Sequence, residues 1–317
     1  MVENVQDEHK IKLTTEIHPL LTNDILTQLK NNDIRTLGNF LDKSIEELAR
    51  KSKLKYKEIS LIRKHIINTY TTNIFNAEEY YNKPLSSIIP TGIQSLDKLL
   101  EGGLRRGKVY EICGTPHSGK SQIFYTLAVN LSLERNQGIY FIDTRNEFCI
   151  ERIEQILKLR GYNLEETAPK IENNIFVEQI FDVNDLITTL KELHDEIPKK
   201  WNHMRVIVID LFSSIFWPLS FEESRLGFLN YVTNLINSLA KQHSIVVIII
   251  NSVKVNIVNK SVTTPDLGQY WFDVPDTRLL IKQNMFNVDN YSIEVLKSTR
   301  LKQGCIVNIV IDKNGVS

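Results

Sequence analysis

The reading of this chain turns on Val109-Tyr110-Glu111-Ile112-Cys113-Gly114-Thr115-Pro116-His117-Ser118-Gly119-Lys120-Ser121-Gln122. An apolar strand, Val109 to Cys113, runs into the pattern Gly-x-x-x-x-Gly-Lys-Ser. An apolar-periodic helix, Gln122 to Glu134, follows it. In that context the pattern is a phosphate cradle. Glycines let the backbone wrap an anion, and successive N–H groups and the helix N-terminus supply partial positive charge. The residues expected to bind the nucleotide are Gly114, Thr115, Pro116, His117, Ser118, Gly119, Lys120, Ser121 and Gln122. Lys120 would reach the terminal phosphates and assist catalysis, and Ser121 would hold Mg²⁺.

The chain on either side repeats the strand-then-helix grammar. Apolar runs at Val109 to Cys113, Ile139 to Asp143, Ile175 to Asp182 and Val206 to Asp210 are followed by helix-like stretches. These are Gln122 to Glu134, Cys149 to Arg160, Val183 to Glu196 and Glu222 to Gln242, and a fifth apolar run, Ile245 to Asn251, closes the series. Continuous rather than alternating apolar strands between helices predict a parallel sheet covered on both faces. Past Asn251 the helices are expected to stop, and Arg278 to Lys282, Tyr291 to Lys297 and Cys305 to Ile311 read as closing antiparallel strands. Asp210 ends a buried strand where a second acid would meet the metal shell opposite Ser121. Asn251 ends the next strand. It would sense the terminal phosphate, or it simply starts a turn.

Upstream, Ile25, Leu26, Leu29, Ile34, Leu37, Phe40, Leu41, Leu48, Ile59, Ile62, Ile66 and Ile67 carry helical spacing, and Ser44-Ile45-Glu46-Glu47 reads as a capping box. The predicted organisation is a small all-α domain over 1–74, a linker over 75–90 and an α/β core over 91–317. Between Arg50 and Lys64 seven cations face the single acid Glu58, the clearest basic patch in the chain. Overall, 38 Lys and Arg balance 38 Asp and Glu, so any polyanion must be met by a local patch. The longest strongly apolar run, Ile245 to Ile250, falls far short of the ~18 residues of a membrane span, and no membrane partner is expected. Cys113, Cys149 and Cys305 lack metal-ligand spacing and are expected to be buried thiols in a reducing compartment.

Thr91-Gly92-Ile93-Gln94-Ser95-Leu96-Asp97-Lys98-Leu99-Leu100-Glu101-Gly102-Gly103-Leu104, leading through Gly107 into the cradle, resembles the lead-in of RecA-type recombinases. Tyr140-Phe141-Ile142-Asp143-Thr144 and Ile309-Val310-Ile311-Asp312-Lys313-Asn314-Gly315-Val316 are similar to that family too. Within it the chain most resembles the eukaryotic recombinase paralogues of the D branch, in the lead-in and in the run Leu267 to Arg278. The resemblance implies a RecA-like P-loop ATPase core with a small helix-hairpin-helix-like N-terminal domain. It implies ATP and Mg²⁺ as cofactors, a nuclear role in homologous-recombination repair, and partnership with sister paralogues and single-stranded or branched DNA. It also implies that Arg152 lies over the adenine, a surface salt bridge being the alternative. Phe75 and Ala77 resemble a plug for docking a neighbouring protomer, although such an aromatic also packs on its own domain.

Two departures from the family pattern bear on activity. Active members carry a Glu directly after Asp143-Thr144, where this chain has Arg145. Glu147 lies two residues on, about 6 to 7 Å along extended chain, and replaces the missing base only if the loop bends back. Ser252 stands where active members have Gln after Asn251. Binding with slow hydrolysis is therefore expected, and a DNA-stimulated, strand-exchanging ATPase is the alternative. DNA is expected at the loops after Asp210 and after Asn251. In the second, Lys254 and Lys260 are the cations before Arg278, and few cations mean few phosphate contacts. Tyr270, Trp271 and Phe272 are either stacking surface or core, and the Arg50 to Lys64 patch either touches DNA or is a solvated face.

Overall fold

The computed structural model describes residues 12–66, 88–219, 222–255, 263–265, 267–284 and 289–317. The chain divides into two compact units, Met1–Lys83 and Pro84–Ser317. Of the predicted linker over 75–90, residues 75–87, with Phe75 and Ala77, lie outside the described residues, and Ile88 and Ile89 form a strand rather than linker.

In the first unit, helices α1 (Asn23–Asn31), α2 (Leu37–Asp42), α3 (Ile45–Lys51) and α4 (Tyr56–Ile66) enclose Leu29, Ile34, Phe40, Leu48, Ile59, Ile62 and Ile66. Each such apolar burial contributes about 1.5–3 kcal/mol. The Thr36 hydroxyl accepts from Asn39 N at the start of α2, and the Ser44 hydroxyl accepts from Glu47 N at 3.1 Å at the start of α3. The Glu47 carboxylate turns away from the cap to Lys51 and Lys43, so the capping box is half formed.

The second unit begins with strand β1 (Ile88–Ile89), helix α5 (Gln94–Leu99) and strand β2 (Leu104–Arg105), which pairs with β1. Asp97 explains the lead-in sequence. One of its oxygens accepts from Thr91 N and Thr91 Oγ1, at 2.7 and 2.8 Å, and the other accepts from Gly92 N at 3.0 Å.

Then follow β3 (Val109–Gly114), α6 (Lys120–Glu134), β4 (Gly138–Asp143), α7 (Ile150–Leu159), α8 (Leu164–Asn174), β5 (Ile175–Gln179), α9 (Val183–Glu196) and β6 (Met204–Asp210). A 3₁₀ turn (Phe212–Phe216), α10 (Glu222–His243), β7 (Val246–Val255), β8 (Thr263–Pro265) and α11 (Gly268–Phe272) come next. The strands β9 (Thr277–Gln283), β10 (Asn290–Ser298), β11 (Ile306–Asp312) and β12 (Gly315–Val316) complete the unit. The main sheet runs β12-β11-β10-β9-β3-β7-β6-β4-β5, with β8 paired to β7. Alternate residues of one strand feed opposite cores: Val206 and Val208 join α6 on one face, and Ile207 and Ile209 join α9 and α10 on the other. That two-sided burial is why the strands read as unbroken apolar runs. Helix α6 is apolar around much of its circumference because it is enclosed.

The α/β, RecA-like class with a small helical N-terminal unit is as the sequence predicts, with three corrections. Strand β9 pairs parallel with β3 and antiparallel with β10, so the closing strands are not wholly antiparallel. Helices do not stop at Asn251, because α11 forms to bury Trp271. Cys149 is exposed rather than buried, capping α7, whereas Cys113 is buried and its thiol pKa is pushed up by desolvation.

Candidate nucleotide site

The cradle sits at the C-terminal end of β3, where a parallel sheet opens a crevice. Gly114 is required by packing, since a Cβ there would lie 2.4 Å from Ser118 Oγ and 2.6 Å from the Ile281 carbonyl oxygen. Gly119 stands at φ 85° immediately before α6, a left-handed conformation that glycine adopts without strain. His117 also has positive φ, at 61°. Thr115 O accepts from Ser118 N, tightening the loop through Pro116.

Lys120 is folded back onto this loop, donating to Gly114 O at 3.0 Å and Thr115 O at 2.7 Å. Burial lowers its pKa, with Asp210 opposing the shift. Ser121 Oγ donates to Asp210 Oδ2 at 2.8 Å, so β6 and α6 meet as the sequence reading expects of a metal-holding pair. Asp210 Oδ1 is buried with no hydrogen-bond partner, and desolvation raises the carboxyl's pKa. A buried carboxylate oxygen left over beside a serine hydroxyl and a glycine cradle is the donor set that magnesium with a triphosphate would complete. The residues present fit that group.

Beside Asp210 lies the loop after β4. Asp143 and Asp210 are register partners, and Thr144 N donates to Asp210 O at 2.9 Å. Asp143 receives Arg145 N and Phe148 N on its two oxygens, bending the loop through Asn146, whose φ is positive. The Glu147 carboxylate is engaged in an ion pair with Arg145.

Gln122 accepts from Arg152 Nε at 2.8 Å, and Arg152 also donates to Asp312 O and Lys313 O at 2.6 and 2.9 Å. Arg152 thus ties α7 to the β11–β12 turn rather than standing free. Asn251 is engaged at both ends of its amide: Oδ1 accepts from Ser213 N at 3.0 Å, and Nδ2 donates to Glu111 at 2.8 Å. Glu111 also accepts from Trp271 Nε1 and pairs with Arg278, whose guanidinium donates to the Trp271 and Phe272 carbonyls. The reading of the sequence passed over Glu111, Arg278 and the Arg145–Glu147 pairing. The available signal was a glutamate inside an apolar strand and an arginine inside another, since buried charge requires a partner.

The places expected to meet DNA are sparsely charged. Residues 211–219 contain no Lys or Arg, and Phe212, Ile215 and Phe216 of the 3₁₀ turn are buried. Lys254 pairs through its backbone with Thr264, and Lys260 lies outside the described residues. Trp271 is core, whereas Tyr270 and Phe272 are exposed. In the N-terminal patch, Arg63 donates to the Phe40, Leu41 and Lys43 carbonyls and Lys51 pairs with Glu47. Lys53, Lys55, Lys57 and Lys64 remain exposed there.

Compared with known families, residues 85–270 match the Rad51 family model. The chain belongs to the Rad51 family. Residues 11–68 match the model for the RAD51D N-terminal domain. The chain is 30% identical over 298 residues to DNA repair protein RAD51 homolog 4 of Bos taurus, covering 90% of this chain and 91% of that one. It is 28% identical over 271 residues to the Mus musculus protein of the same name, covering 83% and 82%. The crystal structure of the RadB recombinase superposes with a TM-score of 0.61 at 19% identity, covering 72% of this chain and 98% of that one, which shows the shared fold. Among the described residues no helix is long and apolar enough to cross a membrane, and no group of His, Cys, Asp and Glu is arranged to hold a metal by itself.

Proposed function

We propose that this Rad51-family chain is an ATP-binding recombinase paralogue in homologous-recombination DNA repair. In this reading it acts in the nucleus by joining sister paralogues and single-stranded or branched DNA to support the main strand-exchange protein. The observation that carries the nucleotide reading is the Ser121–Asp210 pair, with Asp210 Oδ1 left over beside the Gly114–Gly119 cradle. The repair role is supported by family membership and by the names of the relatives.

Bound ATP with magnesium would supply binding free energy and a cleavable terminal phosphate. Lys120 would exchange the Gly114 and Thr115 carbonyls for phosphate oxygens, Ser121 and Asp210 would hold the metal, and Arg152 would keep the C-terminal turn over the nucleotide side of α7. No carboxylate directly follows Thr144, and Glu147 is paired with Arg145, so the site is arranged to hold rather than to turn over. With few cations in the two core loops, DNA contact falls to the exposed lysines of the first unit and is weak and salt-sensitive.

Titration calorimetry with ATP and magnesium tests the nucleotide reading, with binding expected for the native chain and lost for Lys120→Ala. Absence of heat with the native chain would end it. Capture of sister paralogues from nuclear extract, compared between native and Lys120→Ala protein, tests the assembly.

A further inference from the structure

The residue in the place of the usual base is itself an arginine, and its position suggests a use. The loop carrying it is held to the site by backbone and side-chain bonds on both sides: Thr144 N to Asp210 O at 2.9 Å, Leu211 N to Thr144 Oγ1 at 2.7 Å, and Arg145 N to Asp143 Oδ1 at 3.0 Å. Arg145 therefore leaves the β4 end two residues beyond the strand pair Asp143–Asp210, on the rim of the crevice holding Ser121 and Lys120. At the other end of the loop, the Tyr125 hydroxyl of α6 donates to Glu147 O at 3.3 Å, mooring it against the helix that begins at Lys120. The loop carrying the two side chains is thus fixed at both ends beside the crevice.

Arg145 and Glu147 are bound to one another, at 37% and 59% side-chain exposure, so the pair is open to an incoming ligand. An exposed pair two residues apart is a weak interaction of about 1 kcal/mol or less. A phosphate oxygen is a stronger partner for a guanidinium, because the contact is charge-assisted and two-pronged. Lys120 is the cation bonded within the cradle, and a nucleoside triphosphate carries one phosphate more than a diphosphate to neutralise.

We infer that Arg145 is a binding residue for the terminal phosphate of the nucleotide, held in reserve by Glu147, which acts as its counter-ion and not as a base. This rests on the nucleotide reading above and sharpens it. The site would distinguish triphosphate from diphosphate through Arg145, and binding of the triphosphate would break the Arg145–Glu147 pair. The same substitution that removes the usual base therefore adds a clamp, which suits a subunit that reports nucleotide occupancy.

The test is calorimetric titration of the full chain with ATP and with ADP, each with magnesium and at one ionic strength, for the native protein, Arg145→Ala and Glu147→Gln. Arg145→Ala should weaken ATP about 10- to 100-fold, the range for one charged hydrogen-bonding group, and ADP far less. Glu147→Gln should tighten ATP about two- to fivefold by freeing the arginine. A loss in Arg145→Ala shared equally by ATP and ADP, or an ATP affinity that Glu147→Gln leaves unchanged while turnover vanishes, would overturn the proposal. Native protein that binds neither nucleotide would instead overturn the nucleotide reading itself. Both side chains are exposed, so the variants should unfold at the native temperature.

Discussion

The Asn251 side chain donates to the Glu111 carboxylate at 2.8 Å across two neighbouring parallel strands, and both residues are fully buried. The same carboxylate receives the Trp271 indole and the Arg278 guanidinium, so a charge in the middle of the sheet is met from β7, α11 and β9 together. Asn251 also accepts from Ser213, which joins this cluster to the turn that follows Asp210.

Removing one member of that cluster should be costly. Glu111→Ala leaves the Arg278 guanidinium buried without its counter-charge, and a loss of about 3–5 kcal/mol is expected in urea unfolding of the full chain. The double variant Glu111→Leu, Arg278→Leu should lose much less than the two single changes added together. A double-variant loss equal to the sum of the two single losses would show that the pair is not coupled.

Asp210 gives a pH signature. Burial raises its pKa in the free protein, so the folded state holds the proton to higher pH than the unfolded chain does. Its contribution to stability is then present below the unfolded carboxyl pKa and declines as pH rises through the folded one. Asp210→Asn should remove that slope, leaving the nucleotide-free variant more stable than the native chain at neutral pH. Thermal unfolding across a pH series checks this, and the same variant should lose the magnesium dependence of nucleotide binding.

Arg152 holds the end of the chain's sheet. Arg152→Ala removes the donors to Asp312 O and Lys313 O along with that to Gln122, a loss of about 1–3 kcal/mol for hydrogen bonds from a charged group. Amide exchange should accelerate in β11 and β12 and stay unchanged in β6. If Arg152 instead did nothing but pair at the surface, exchange there would not move.

In the first unit, Ser44→Ala should cost about 1 kcal/mol by freeing the Glu47 amide at the start of α3. Ser44→Asp should restore most of it. Amide exchange at Glu47 and Leu48 in the full chain is the direct measurement, since the change should be confined to α3.

Local patterning was enough to place most of this protein. A strand buried on both faces must be apolar at consecutive positions, so β3, β4, β6 and β7 announce themselves, and the glycine spacing of 114–121 specifies a cradle whatever surrounds it. Ser121 and Asp210 could be paired before seeing them because a strand end and a helix start in a parallel sheet meet at one edge. Helix α8 was less legible, since Pro169 within it argues locally against a helix.

What only the tertiary structure decided is the partnership of charges. Glu111 and Arg278 are 167 residues apart, and nothing in the periodicity of either strand says which buried charge will face which. The parallel pairing of β9 with β3, the inward turn of Asn251 and the burial of Trp271 all converge on that one match. Arg145 and Glu147, though two residues apart, likewise needed the bend at Asn146 to bring them together. Hydrophobic periodicity is a local property that the chain writes residue by residue. Electrostatic satisfaction in a low-dielectric interior is settled between distant segments, and only the folded chain brings them within reach.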